Sequence, residues 1–190
     1  MLRSRRLHPV EAALFIAALL IFAGTIYVAT RPGTGSSSSE HVALSIFPNA
    51  WGDYVYNSTF LRAHVGSVVE FTITNFDPQS HPTVGPYDNV SGTRNGMMWW
   101  TGGMMGGGNR GGQELNGLTP DEISHTFTIQ MGGYELNVPI PPAANGSGPS
   151  VITFTVQMFG ASDLTWQCDA NDMGPTTGPD GGMMGILAVS

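Results

Sequence analysis

Three segments of this chain alternate apolar and polar residues with a period of two: Val68–Asn75 (VVEFTITN), Ser124–Gln130 (SHTFTIQ) and Val151–Met158 (VITFTVQM). A period of two fits a strand with one buried face, whereas a helix repeats its faces every 3.6 residues. In the first segment Val69, Phe71 and Ile73 share a face, and all three segments are rich in Thr, Val, Ile and Phe, which suit a pleated, half-buried surface. His41–Phe47, Leu164–Cys168 and Gly185–Val189 read the same way. From residue 41 onward no window of ten residues keeps a helical period. The 26 glycines and 13 prolines supply turns between strands rather than helix interiors. These features predict an all-β domain over residues 41–190, a β-sandwich of seven or eight strands.

Ahead of that domain the pattern changes. Ala12 to Ala29 is an uncharged, apolar stretch of 18 residues, or about 27 Å of helix, close to the hydrocarbon thickness of a bilayer. A cleaved signal peptide is the competing reading of an Arg-rich start followed by an apolar run. The length of the run, and the lack of a clear small-x-small site before Arg31, favour an anchor that is kept. Arg3, Arg5 and Arg6 place the N-terminus in the cytoplasm by the positive-inside rule, with the rest of the chain outside the cell membrane. Residues 1–31 are therefore read as a cytoplasmic tip and a single-pass transmembrane helix. Residues 32–40, in a Gly/Ser-rich run with nothing apolar to bury, are read as a flexible linker.

Charge narrows the possible partners. The chain has no lysine, and beyond residue 32 thirteen acidic residues stand against Arg62, Arg94 and Arg110. No basic surface is available to phosphates, which excludes nucleic acid as a partner. Between two good strands lies a Gly/Met-rich insertion, residues 95–117 (NGMMWWTGGMMGGGNRGGQELNG), read as neither regular strand nor helix. Structureless loops of that length in compact domains are usually functional or disordered. Met97, Met98, Met104 and Met105 around Trp99 and Trp100 suit either a thioether cluster for Cu(I) or an apolar surface for docking a redox partner.

One cysteine, Cys168, excludes an internal disulfide framework. A lone cysteine can be buried filler, a nucleophile or a metal thiolate. Cys168 has no motif supplying a nearby base, so nucleophilic chemistry is disfavoured. It closes one strand segment and precedes a Met- and Gly-rich stretch carrying Met173, Met183 and Met184. His125 opens another strand. A thiolate, an imidazole and a thioether form a soft donor set that suits copper, and trigonal His₂Cys sites with a long axial Met are electron-transfer centres. The bland readings stand beside this one: Cys168 as a small buried residue, His125 as a hydrogen-bonded core histidine, and His81 as an ordinary surface group.

From Val68 onward the chain resembles the cupredoxin superfamily, and within it sulfocyanin-like blue copper proteins and respiratory oxidase subunit II domains. VVEFTITNFD resembles the strand leading to a first copper histidine. ISHTFTI followed by YELNVPIPPA resembles subunit II, where a His-x-Phe strand precedes an Asn-Val turn and a proline-containing loop. FTVQMFGASDLTWQC and GGMMGILAV resemble the last two strands with the metal loop between them. The resemblance implies a Greek-key β-sandwich and one mononuclear copper held by Cys168, His125, His81 and Met184, with Met173 and Met183 as alternates for the thioether. It further implies a membrane-anchored electron carrier, not an enzyme, that serves a respiratory partner such as a terminal oxidase or a cytochrome.

The departures are specific. One Cys and no His in the last loop exclude a dinuclear centre, and no histidine follows Cys168 anywhere. An accessory subunit with a degenerate copper site, or a Met-rich periplasmic copper-binding protein, are the alternatives this leaves.

Overall fold

The structure, a computed structural model, describes residues 39–50, 52–81, 83, 86–102, 112–131, 134–144, 148–170 and 183–190. The expected anchor (1–31), most of the expected linker, Met104, Met105 and Met173 lie outside the described residues. Among the described residues no helix is long and apolar enough to cross a membrane.

The described residues form two sheets and no α-helix. The strands are β1 (Ser39–Pro48), β2 (Tyr54–Tyr56), β3 (Phe60–Ala63), β4 (Val68–Asn75), β5 (Met98–Gly102), β6 (Gln113–Leu115), β7 (His125–Met131), β8 (Tyr134–Ile140), β9 (Ser150–Gln157), β10 (Ser162–Gln167) and β11 (Met184–Val189). One sheet runs β2-β1-β4-β9-β5-β6 and the other β3-β11-β10-β7-β8. Both are mixed: β1 lies parallel to β4 and β3 parallel to β11, while the remaining pairs are antiparallel.

The alternation read from the sequence is the alternation of burial. In β4, Val69, Phe71 and Ile73 are fully buried, and in β9 Ile152, Phe154 and Val156 match them. The antiparallel register sets Phe71 opposite Phe154 and Ile73 opposite Ile152. Phe127 of β7 faces them from the other sheet, with its ring centroid 5.4 Å from Phe71 and 6.0 Å from Phe154. Trp166 of β10 stacks on Phe127 at 5.4 Å, and Tyr56 meets Trp166 edge-on at 4.8 Å. Aromatic contacts of this kind add to the area they bury. Gly185 of β11 permits a close approach: a Cβ there would collide with the Thr59 carbonyl and the Trp166 ring.

Three expectations change. β1 begins at Ser39, so Ser39 and Glu40 belong to the sheet rather than the linker. The segment 95–117 contains two strands: β5 pairs with β9 and β6 pairs with β5. Met98 and Trp100 are buried while Trp99 between them is 46% exposed. This is the same period of two, too short to stand out among glycines. Buried Met98 is therefore a core side chain, available neither to a Cu(I) cluster nor to a docking surface. Finally, YELNVPI is a seven-residue strand rather than a turn. As β8 it forms one edge of its sheet, where Pro139 removes no needed ladder donor.

Candidate metal centre

Where β4 ends, the chain turns inward rather than out to solvent. Asn75 is fully buried, donates through Nδ2 to the Pro141 carbonyl, and accepts the Asp77 N–H on Oδ1. Asp77 in turn accepts the Gln79 N–H on Oδ1, while its carbonyl accepts the Ala143 N–H. These bonds fix a side chain that is 0% exposed, with its other oxygen, Oδ2, aimed at two imidazoles. His81 Nε2 lies 2.9 Å from it and His125 Nε2 3.0 Å. The two rings stand 5.6 Å apart between centroids.

His125 starts β7, where its backbone pairs with Ile140 of β8. Its opposite ring nitrogen, Nδ1, lies 3.8 Å from Cys168 Sγ. The sulfur also accepts the Thr126 N–H at 3.3 Å. Cys168 is held by its own N–H on the Met183 carbonyl, and Asp169 N–H donates to Thr126 Oγ1 at 2.7 Å. Trp166, Leu164 and Phe154 are buried as well. One imidazole thus joins a thiol on one edge to a carboxylate on the other.

The electrostatics follow from burial opposed by these contacts. Burial alone would raise the Asp77 pKa, but hydrogen bonds from His125, His81 and the Gln79 amide hold it well below the usual carboxylate range. Burial disfavours charge on His125 as well, yet the hydrogen bonds to Asp77 and Cys168 raise its pKa to about 9. For Cys168, burial pushes the thiol up, and the His125 contact with the Thr126 and Ala170 amides brings it below its ordinary value. The Tyr54 ring, 6.3 Å from His125, has its hydroxyl pKa raised by burial and then by the Asp77 charge.

Of the residues singled out in the sequence, Cys168 and His125 come together directly. His81 arrives through Asp77: the donors that converge within 4.8 Å of one another are those of Asp77, His81 and His125. Met184 pairs with Gln167 across β10 and β11, one residue before the cysteine, and Met183 is partly buried against the core. Asp77 was missed. Its signal lay in NFDPQSHP, a carboxylate four residues before a histidine at the end of a buried strand, but an Asp-Pro pair reads first as turn chemistry.

The donors fit a metal such as copper. Bonds of about 2.0 Å to nitrogen and about 2.3 Å to sulfur span the Cys168–His125 gap at an angle of roughly 120°. A carboxylate on the far nitrogen is the usual support for a ligating histidine, since it fixes the tautomer and the ring orientation.

No protein-family model matches the chain, and no curated protein does. Solved structures do. Rusticyanin from Thiobacillus ferrooxidans is 11% identical with a TM-score of 0.43, over 82% of this chain and 79% of that one. Auracyanin A, described as a "blue" copper protein from Chloroflexus aurantiacus, is 8% identical with a TM-score of 0.41, over 80% and 100%. The McoA multicopper oxidase from Aquifex aeolicus is 12% identical with a TM-score of 0.41, over 82% of this chain but 30% of the oxidase. Identities this low concern the fold alone, and the sandwich assignment rests on the strand pairing described above.

Proposed function

We propose that this chain is an extracytoplasmic electron carrier that binds one copper ion at Cys168 and His125. The observation that carries this reading is the 3.8 Å approach of Cys168 Sγ to His125 Nδ1 inside the core, with Asp77 on the far nitrogen of the same ring. A copper ion held there would exchange single electrons between its two oxidation states. The chain's own part is to hold the donors in nearly one geometry for both states. With copper bound, Asp77 would hold the N–H on Nε2 and leave Nδ1 to the ion beside the sulfur. The Thr126 amide holds the thiolate, and the buried aromatic surroundings keep water from it.

The thioether of Met184, or of Met183 or Met173, would be the further donor in this reading. His81 remains the expected second imidazole in this reading; its Nε2 lies on Asp77 as that of His125 does, and His81→Ala should abolish or shift the visible band. Anchoring by residues 1–31 and a respiratory partner such as a terminal oxidase or cytochrome complete the proposal. They are supported by the apolar N-terminal run and by the resemblance to sulfocyanin-like and subunit II proteins.

A visible spectrum of the Cu(II)-treated protein tests it. Thiolate-to-copper charge transfer gives an intense band that Cys168→Ser and His125→Ala each remove. A colourless protein with copper present would favour the accessory-subunit reading, whose motive is the lack of any histidine after Cys168.

A further inference from the structure

Asp77 is a fully buried carboxylate with no arginine beside it among the described residues. The positively chargeable groups on its oxygens are two imidazoles, both on Oδ2. Without a metal, protons on these imidazoles supply the positive counterpart that a buried carboxylate needs, and a bound cation would displace them. Two nitrogens and one oxygen from separate side chains already converge here, at 2.9 and 3.0 Å. Donors around a tetrahedral ion with bonds of about 2.0 Å lie about 3.3 Å apart, so the two Asp77–His separations need to open by only a few tenths of an ångström, and all three donors already lie within 4.8 Å of one another. His81, with 11% of its side chain exposed, gives an ion a way in from solvent.

The geometry points to a second metal site on the opposite edge of the His125 ring, where Asp77 Oδ2, His81 Nε2 and His125 Nε2 hold a divalent ion of borderline hardness such as zinc. Imidazole and carboxylate suit that ion, and three protein ligands leave one position open. When His125 binds through Nε2, its remaining proton moves to Nδ1 and points at Cys168 Sγ. The thiolate becomes the hydrogen-bonded support of the ligand, as Asp77 is when the other edge is used. The two negative groups, Asp77 and Cys168, balance the ion's two charges. The same ring nitrogen cannot be both protonated support and ligand, so with a neutral His125 ring zinc and copper would compete, and both could be held only by a bridging imidazolate. This site stands whether or not copper binds.

Cobalt(II), a coloured substitute for zinc, tests the inference on the full-length protein. The expected spectrum has d–d bands of a four-coordinate ion with no thiolate-to-cobalt charge-transfer band. Cys168→Ser should leave the four-coordinate d–d spectrum in place while weakening zinc binding about tenfold, as loss of an outer partner of a ligand does. Asp77→Asn and His81→Ala should each weaken zinc binding at least about tenfold, the range for losing even an outer partner of a ligand. His81→Ala lies on a partly exposed loop and keeps the test valid if Asp77→Asn fails to fold. A charge-transfer band that Cys168→Ser abolishes would place cobalt on the sulfur edge and overturn the proposal. So would zinc binding unaffected by His81→Ala. The copper reading fails separately, by absence of its own charge-transfer band in the wild-type protein.

Discussion

The interior has two regions built on different principles. The middle of the sandwich is apolar: Phe71, Phe127, Phe154 and Trp166 touch in a continuous stack across both sheets. The end of the sandwich is polar and almost as deeply buried: Asn75, Asp77, Ser124, His125, Thr126, Thr128 and Asn137 are each at most 6% exposed. The first region is held by area removed from water, which is non-directional and scales with the volume lost on substitution. The second is held by hydrogen bonds, where one missing partner strands another buried group; of the seven residues, Ser124 has a buried hydroxyl without a partner. The middle therefore fixes the sandwich, and the polar end fixes a geometry.

The largest effect that would sharpen this contrast is in the middle. Phe127→Ala or Trp166→Ala should cost about 3–5 kcal/mol, measured by urea unfolding, while Phe127→Leu should cost far less. If both Phe127 variants cost the same, shape rather than volume governs the stack. At the polar end the order reverses, since a near-isosteric change is the damaging one. Asp77→Asn keeps the volume yet removes the anion that two imidazoles share, and should cost about 1–3 kcal/mol of metal-free stability. A neutral result would mean that the polar end contributes little to holding the fold.

The third prediction separates the regions by pH. Asp77 has a lowered pKa, so its stabilisation is present above the ordinary carboxylate range and lost as pH falls through its folded value. His125 has a raised pKa, so its contribution is complete below the unfolded value of 6.5 and lost as pH rises through about 9. Metal-free protein should therefore show a broad stability maximum that falls on both sides. Phe127→Leu should shift this curve down without changing its shape, and Asp77→Asn should flatten it. An unchanged profile in Asp77→Asn would break the comparison. The smallest effect belongs to neither region: His64, paired with Glu40 at 3.0 Å on an exposed strand end, should cost less than about 1 kcal/mol as His64→Ala and leave any visible band alone.

The middle was legible in the sequence and the polar end only half so. Burial on one face of a strand writes itself as a period of two, so β4, β7 and β9 could be read directly from Val69, Phe71, Ile73 and their counterparts. β5 escaped because its alternation spans only Met98, Trp99 and Trp100 in a run of glycines. At the site, Cys168 and His125 stood out because thiols and imidazoles are scarce and chemically distinctive. Asp77 did not, since a carboxylate beside proline is common turn material. Its meaning depends on a ring 48 residues away, and no local spacing records that distance.

The parallel pairing of β3 with β11 has a consequence for the order in which the molecule is made. Residues 60–63 find their partners only at residues 186–189, a connection that closes late because long loops must be ordered before it forms. Cys168 is covered from the same side, by the pairing of β10 with β11 and by its own bond to the Met183 carbonyl. Cys168 is 1% exposed in the folded chain, and if β11 docks last its sulfur would close to reagents and oxidants only at that step. The rate at which Cys168 escapes a thiol-modifying reagent is thus a clock for the last step of folding.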